Sequence, residues 1–99
     1  MPVYAIAQLT ITDRTAYDRY QSRFISVFSR FKGRLLAADE SPAVVEGKWE
    51  HQKVVPMSFP DEAAFREWAS SPDYQEISKD RHASSRAVIL LVKGLSTAS

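Results

Sequence analysis

The start of the chain alternates between two kinds of position with a period of two residues. The odd positions of residues 3–11 are all aliphatic, whereas the even positions hold Tyr4, Ile6, Gln8 and Thr10. A period of two is typical of a β-strand that buries one face. We therefore predict a first strand over residues 3–11 whose second face still carries apolar groups.

The pattern then changes to helical spacing. Asp13 is a favourable N-cap residue, and the apolar residues after it recur three or four positions apart. Gly33 is typical of the residue that follows a helix, and Lys32 would suit the negative end of the helix dipole. We predict a long amphipathic helix from Asp13 to Gly33. Its apolar face consists of Tyr17, Tyr20, Phe24, Val27, Phe28 and Phe31.

Two apolar segments predict the middle strands. Residues 34–38 and 43–47, separated by Ser41-Pro42, indicate a strand that is bent near the proline, and a hairpin over 48–52 leads into a third strand at 53–59. Pro56 lies inside that third strand. Because proline cannot donate a ladder hydrogen bond, we expect a local irregularity there.

The last third of the chain predicts two short helices and a final strand. Asp61 is the N-cap candidate of the first helix, whose apolar side contains Ala64, Phe65, Trp68 and Ala69. Ser71-Pro72 then starts another helix that should run to about Ala83, because proline is well placed at a first helical position. The final strand is expected over residues 87–93.

The predicted order is β-α-β-β-α-β, an α+β ferredoxin-like sandwich with an antiparallel sheet and the helices on one face. The last strand, however, reads Ala-Val-Ile-Leu-Leu-Val and is apolar on both faces. An exposed apolar sheet face favours association. We therefore predict a homodimer in which the two sheets face each other and close a barrel-like cavity.

Composition supports one ordinary domain. The 99 residues carry a net charge of +1, are 44% apolar and include no cysteine, and we expect one domain over residues 1–95 with a flexible tail over 96–99. The near-neutral charge argues against nucleic acid and anionic membrane as partners, and the strands lack the paired aromatics that stack RNA bases.

The start of the chain does not resemble a signal peptide, and the longest apolar run is too short to span a bilayer, so we predict a cytoplasmic protein.

Standard catalytic signatures are absent from the sequence. There is no Gly-rich phosphate loop and no nucleophile elbow, and His51 and His82 have no neighbouring ligand set. The prediction is therefore no cofactor and no metal.

Arg81 and His82 are the polar candidates for a site. A histidine beside a cation is a plausible general acid or base, and arginine can bind a carboxylate with two hydrogen bonds. The alternative for His82 is a solvated helix end, and the alternative for Arg81 is an ion pair with Asp73 or Glu76.

The aromatic residues supply candidate pocket walls. Trp49 lies in the predicted hairpin, Trp68 and Tyr74 flank the Ser-Pro break, and Tyr4 or Tyr20 could donate a hydrogen bond to a carbonyl or hydroxyl group. The alternative for the tryptophans is a lid that seals the core. Glu46 beside Gly47 is either a turn residue or a charged group at the cavity mouth.

These residues resemble a known family. The most specific segments are the Glu-Gly-x-Trp turn at residues 46–49 and the Trp-x-x-Ser-Pro-x-Tyr segment at 68–74. From Pro2 to about Leu95 the chain is similar to the domain of unknown function 1330 family. Further matching residues are Tyr4, Thr12-Asp13, Tyr17, Tyr20, Gly33-Arg34, Phe59-Pro60, Ala63-Ala64, Arg81 and Val92-Lys93-Gly94.

The resemblance implies a dimeric α/β barrel with a ferredoxin-like protomer. The wider superfamily includes cofactor-free monooxygenases, small-molecule isomerases and haem-degrading enzymes, whose active site lies between sheet and helices, and such an analogy supports a fold better than a function. The resulting hypothesis is a protein that binds a small aromatic or carboxylated metabolite. If it is an enzyme, the resemblance implies a cofactor-independent enzyme of monooxygenase or isomerase type. The alternative is a non-catalytic dimeric binding or assembly module, and the sequence does not decide between them.

Overall fold

Four strands and three helices follow one another in the predicted order. The computed structural model describes residues 1–95, so the expected tail at 96–99 lies outside the described part of the chain. The sheet is antiparallel with the strand order β2-β3-β1-β4, which confirms the ferredoxin-like α+β fold. The elements are β1 Val3–Ile11, α1 Arg14–Phe28, β2 Arg34–Leu35, β3 Lys53–Phe59, α2 Glu62–Ala69, α3 Pro72–Ser84 and β4 Ser85–Lys93.

Strand β1 occupies a central position and separates two environments. It pairs with β3 on one side and with β4 on the other. Its odd residues from Val3 to Leu9 are buried under the helices, whereas Tyr4 and Ile6 are only partly buried on the opposite face. The period of two therefore assigns the two faces of this strand correctly.

Helix α1 begins as predicted but ends at Phe28 rather than near Gly33. The Asp13 carboxylate accepts a hydrogen bond from the Ala16 N–H at 3.2 Å, as an N-cap should. The last turn tightens, because the N–H groups of residues 30 and 31 donate to carbonyls three positions back. Gly33 serves another purpose: a Cβ there would lie 2.5 Å from the Phe28 ring and 2.6 Å from the Phe59 ring.

Strand β2 is much shorter than predicted, and residues 43–47 form no strand. The reason is Pro56 in the neighbouring strand. Its carbonyl accepts a hydrogen bond from the Leu36 N–H at 3.0 Å, but proline has no N–H group that could donate a hydrogen bond back to β2. Pairing resumes only at the isolated bridge between Asp39 and Val54. On its other side β3 pairs with β1 without interruption, including Ile6 opposite Pro56. The expected irregularity at Pro56 thus affects the edge of the sheet alone.

The second half of the fold agrees closely with the sequence pattern. Asp61 accepts a hydrogen bond from the Ala64 N–H at 2.8 Å, and Ser71 accepts one from the Tyr74 N–H at 3.2 Å, so each residue caps its helix. Helix α3 begins at Pro72 and ends at Ser84. Strand β4 follows at once, two residues earlier than expected, because Ser85 and Arg86 already pair with Ile11 and Thr10 of β1.

The face of the sheet away from the helices, which we call the open face, is apolar and uncovered. Tyr4 lies opposite Val92, and Ile6 lies opposite Leu90. The side chains of Val88, Leu90 and Val92 are 45%, 47% and 41% exposed.

Residues 1–95 include no helix of the length and hydropathy that crossing a membrane requires. The cytoplasmic location stays a prediction.

Candidate functional site

A cavity of about 460 Å³ lies between the helix-covered face of the sheet and the helices. Its walls come from α1, β3, α2 and α3, with contributions from β1 and β4. Aromatic and aliphatic side chains form most of the lining, and a few polar groups converge on it, which is typical of small-molecule sites. Representative wall residues are Tyr17, Tyr20, Phe24, Met57, Phe65 and Trp68.

Arg81 and His82 both line this cavity, on the last turn of α3. Arg81 is only 8% exposed, and its Nη2 lies 3.0 Å from Nε2 of His82. Because a guanidinium can only donate, His82 Nε2 accepts this hydrogen bond and the imidazole is neutral with its proton on Nδ1. His82 is exposed overall, but its partial desolvation and then the charge of Arg81 lower its pKa below the ordinary value.

The ion pair that the sequence allowed for Arg81 does not form. Asp73 binds Arg30 at 2.9 Å, and Glu76 binds Lys79 at 2.9 Å. Within residues 1–95, no carboxylate lies within salt-bridge distance of Arg81, and its buried Nε has no hydrogen-bond partner. This cavity-lining guanidinium therefore has a buried donor without a partner in the described chain.

Three of the predicted aromatic residues form one wall. The hydroxyl groups of Tyr20 and Tyr74 share a buried hydrogen bond of 3.1 Å, and the Trp68 ring centroid lies 4.2 Å from that of Tyr74. Burial, and then the neighbouring Tyr74 hydroxyl, raise the pKa of Tyr20 well above its ordinary value, so it stays a neutral hydrogen-bonding group. The Trp68 Nε1–H group is buried without an acceptor in the described chain.

Lys53 is a cavity residue that the sequence reasoning missed. It is 4% exposed, its Nζ donates to Gln21 Oε1 at 2.8 Å, and the same nitrogen lies 4.7 Å from the Tyr17 ring centroid. Burial lowers the pKa of Lys53 and raises that of Tyr17 to about 12. The period of two could have revealed it, because Lys53 shares the inward positions of β3 with Met57 and Phe59.

Glu40 also lines the cavity, but Arg14 already occupies its carboxylate. Arg14 Nη1 and Nη2 donate to the two Glu40 oxygens at 2.6 and 3.0 Å. This bidentate pair lowers the pKa of Glu40. Both side chains are partly exposed, so the pair forms a polar rim and leaves the interior of the cavity without a free acid.

Tyr4 and Trp49 do not belong to this cavity. Tyr4 lies on the open face, beside a surface depression that also includes Arg34 and Ser58. Trp49 donates from Nε1 to Gln8 Oε1 at 2.8 Å, which holds it against the same open face. Glu46 is exposed in the loop before β3 and does not line the cavity. In the part of the chain that the structure describes, no three metal-binding side chains cluster.

Comparison with protein families gives one match over nearly the whole chain. The model described as "Domain of unknown function (DUF1330)" matches residues 2–95. No curated protein matches the sequence significantly.

Solved structures share the fold at low sequence identity. RPA0582, a protein of unknown function from Rhodopseudomonas palustris, is 21% identical with a TM-score of 0.80, covering 96% of this chain and 83% of that chain. A dimeric ferredoxin-like protein of unknown function from Jannaschia sp. CCS1 is 15% identical with a TM-score of 0.72, covering 95% and 100%. SnoaB, a cofactor-independent oxygenase from Streptomyces nogalater, is 16% identical with a TM-score of 0.66, covering 97% and 95%.

Proposed function

The chain belongs to the family described as domain of unknown function (DUF1330), and from the cavity between sheet and helices we propose that it binds a small molecule with an apolar or aromatic body and an anionic group such as a carboxylate. The family description leaves the activity open. The chemistry of the cavity lining supports this binding function. If the protein also catalyses a reaction on the bound molecule, we propose that it does so without a cofactor.

One observation carries the proposal. Two residues that line the cavity, Arg81 and Trp68, each have a buried N–H donor, Nε and Nε1 respectively, that has no acceptor among residues 1–95. Leaving a buried donor unsatisfied costs about 1–3 kcal/mol, and more for a charged group. A carboxylate has two acceptor oxygens and suits the planar donors of a guanidinium, so a bound carboxylate would offset this cost.

We also propose a proton-transfer role for His82. Its single acceptor nitrogen, Nε2, is engaged by Arg81 Nη2 at 3.0 Å. A ligand carboxylate that takes over the Arg81 donors would release Nε2, which could then accept a proton from an acidic C–H or O–H of the ligand. Tyr20 and Tyr74 would bind a carbonyl or hydroxyl oxygen. The structural neighbour SnoaB is a cofactor-independent oxygenase, which supports the proposal that a protein of this fold can act without a cofactor.

Binding can be tested with wild-type protein and single variants. We expect aromatic carboxylates such as benzoate and phenylacetate to raise the melting temperature. Arg81→Met should weaken the binding about 10- to 100-fold, because it removes a charge-assisted hydrogen bond. Arg86→Met, a matched change at an exposed arginine of β4 outside the cavity lining, should bind like wild type. Equal affinities in Arg81→Met and wild type would contradict the proposal, as would the absence of any stabilising carboxylate.

The second candidate is a dimeric module without catalysis. It is favoured by the apolar open face, which a second copy would cover sheet to sheet, as the sequence predicts. The dimeric neighbour from Jannaschia sp. supports that assembly. Ligand binding and dimerisation are compatible, so the discriminating observation is turnover: a ligand that binds at Arg81 but is recovered chemically unchanged favours the module.

A further inference from the structure

Lys53 is a second buried cation on the cavity that holds Arg81. No carboxylate of residues 1–95 lies within salt-bridge distance of its Nζ. The two acids whose charges it feels, Glu40 and Asp18, are both bound by Arg14, at 2.6 and 3.1 Å. The positive charge of Lys53 is thus left without a direct counter-ion.

The immediate contacts of Lys53 are neutral. An ammonium group has three donors, of which one reaches Gln21 Oε1 and another faces the Tyr17 ring. Tyr17 cannot supply a negative charge at neutral pH, because burial raises its pKa to about 12. One donor of this cavity-lining ammonium group therefore has no partner among residues 1–95.

The two cations share a neighbour, Tyr17. The Lys53 ammonium group contacts the Tyr17 ring, and the charge of Arg81 acts in the direction that lowers the pKa of Tyr17, against the larger effect of burial. Both Lys53 and Arg81 line the same cavity of about 460 Å³. A monoanion bound at Arg81 would leave the Lys53 charge uncompensated, whereas a ligand with two anionic groups would compensate both.

We propose that Lys53 forms a second anion subsite, so that the cavity binds a small dicarboxylate with an apolar or aromatic body, one carboxylate at Arg81 and the other at Lys53. The inference rests on the proposed function for the Arg81 subsite and deepens it by naming the substrate class. The mostly apolar walls supply the contact for the body of the ligand.

The experiment compares matched pairs of probes by calorimetry at constant ionic strength. The pairs are benzoate with isophthalate and terephthalate, and hexanoate with adipate. Wild-type protein should bind at least one dicarboxylate about tenfold or more tightly than its monocarboxylate partner, as one additional charge-assisted hydrogen bond allows.

Variants assign the preference to Lys53. Lys53→Met should reduce the affinity ratio between dicarboxylate and monocarboxylate to near one, and Lys53→Arg, which keeps the charge, should retain most of the preference. Lys93→Met is the control, because Lys93 is exposed at the end of β4 and lies outside the cavity lining. Lys53→Met removes a buried charge and retains most of the side-chain length, so we expect it to fold.

The outcomes separate this inference from the proposed function. If benzoate binds wild-type protein but no dicarboxylate binds more tightly, the second subsite is wrong and the Arg81 subsite stands. If no carboxylate of either kind binds, both proposals are wrong. An unchanged ratio in Lys53→Met would also overturn the inference, and the wild-type ratio decides the question by itself should that variant not fold.

Discussion

At the scale of single residues, the cavity keeps two cations out of water without an acidic partner among residues 1–95. Arg81 was accessible to sequence reasoning because it follows a helical pattern and matches a family position. Lys53 was overlooked although the period of two places it inward, because a lysine at the start of an apolar strand is ordinarily taken as its solvated end. The register of β3, with Lys53 opposite the buried Leu9, establishes that this side chain points inward.

His82 provides a pH-dependent prediction at the same scale. Its pKa is lower in the folded protein than its ordinary value of 6.5, first by partial desolvation and then by Arg81. The unfolded chain therefore binds more protons between these two pKa values, and the stabilising contribution present above pH 6.5 is lost as the pH falls through the folded value.

We expect the melting temperature of wild-type protein to fall relative to that of His82→Gln as the pH is lowered from 7.5 to 5. Differential scanning calorimetry of the two proteins in parallel removes the contributions of every other titrating group that they share. A difference that stays constant, or that changes in favour of wild type at acidic pH, would contradict the assigned pKa direction.

At the scale of elements, local signals identified where helices begin better than where they end. Asp13, Asp61 and Ser71 each cap a helix as their residue type suggests, since capping depends on a hydrogen bond within three residues. The role of Gly33 and the short β2 depend instead on residues distant in sequence. Gly33 is packed against Phe59, and Pro56 denies β2 a donor, and neither contact is visible in a local pattern.

Gly33→Ala tests whether close packing explains that glycine. An added Cβ would clash with the Phe28 and Phe59 rings, so we expect a loss of about 1–3 kcal/mol in the free energy of unfolding, measured in urea. In a Phe59→Leu background the penalty should shrink, because the smaller side chain leaves room.

Gly47→Ala is the matched control. Its Cβ would meet nothing within 4 Å, but its φ of +88° is strained for alanine, so its cost of about 1–2 kcal/mol should be the same in both backgrounds. If the cost of Gly33→Ala were also the same in both backgrounds, the close approach of Phe59 would not explain the glycine.

At the scale of the whole molecule, the sheet has one face covered by helices and one apolar face without a cover in residues 1–95. The sequence indicated this imbalance, because β4 is apolar on both faces while only one can face the core. The position of the cavity followed from the family resemblance, but its cations could be assigned only from side-chain positions. Tyr4 and Trp49, matching residues of that resemblance, lie on the open face, so a role in the proposed dimer suits them better than a role in the cavity.

Leu90→Lys is the sharpest test of that dimer. Leu90 lies near the middle of the open face, opposite Ile6, and is 47% exposed in the protomer. Two copies packed sheet to sheet would bury this residue, and a buried lysine without a partner costs several kcal/mol, which exceeds what most single contacts in an interface contribute. We expect wild-type protein at micromolar concentration to have twice the protomer mass by light scattering, and Leu90→Lys to have the protomer mass with an unchanged circular dichroism spectrum.

Val45→Lys, the same type of change at a residue that is 96% exposed in the loop before β3, should remain dimeric. A wild-type monomer, or a Leu90→Lys dimer, would mean that the open face is not the surface through which two copies associate.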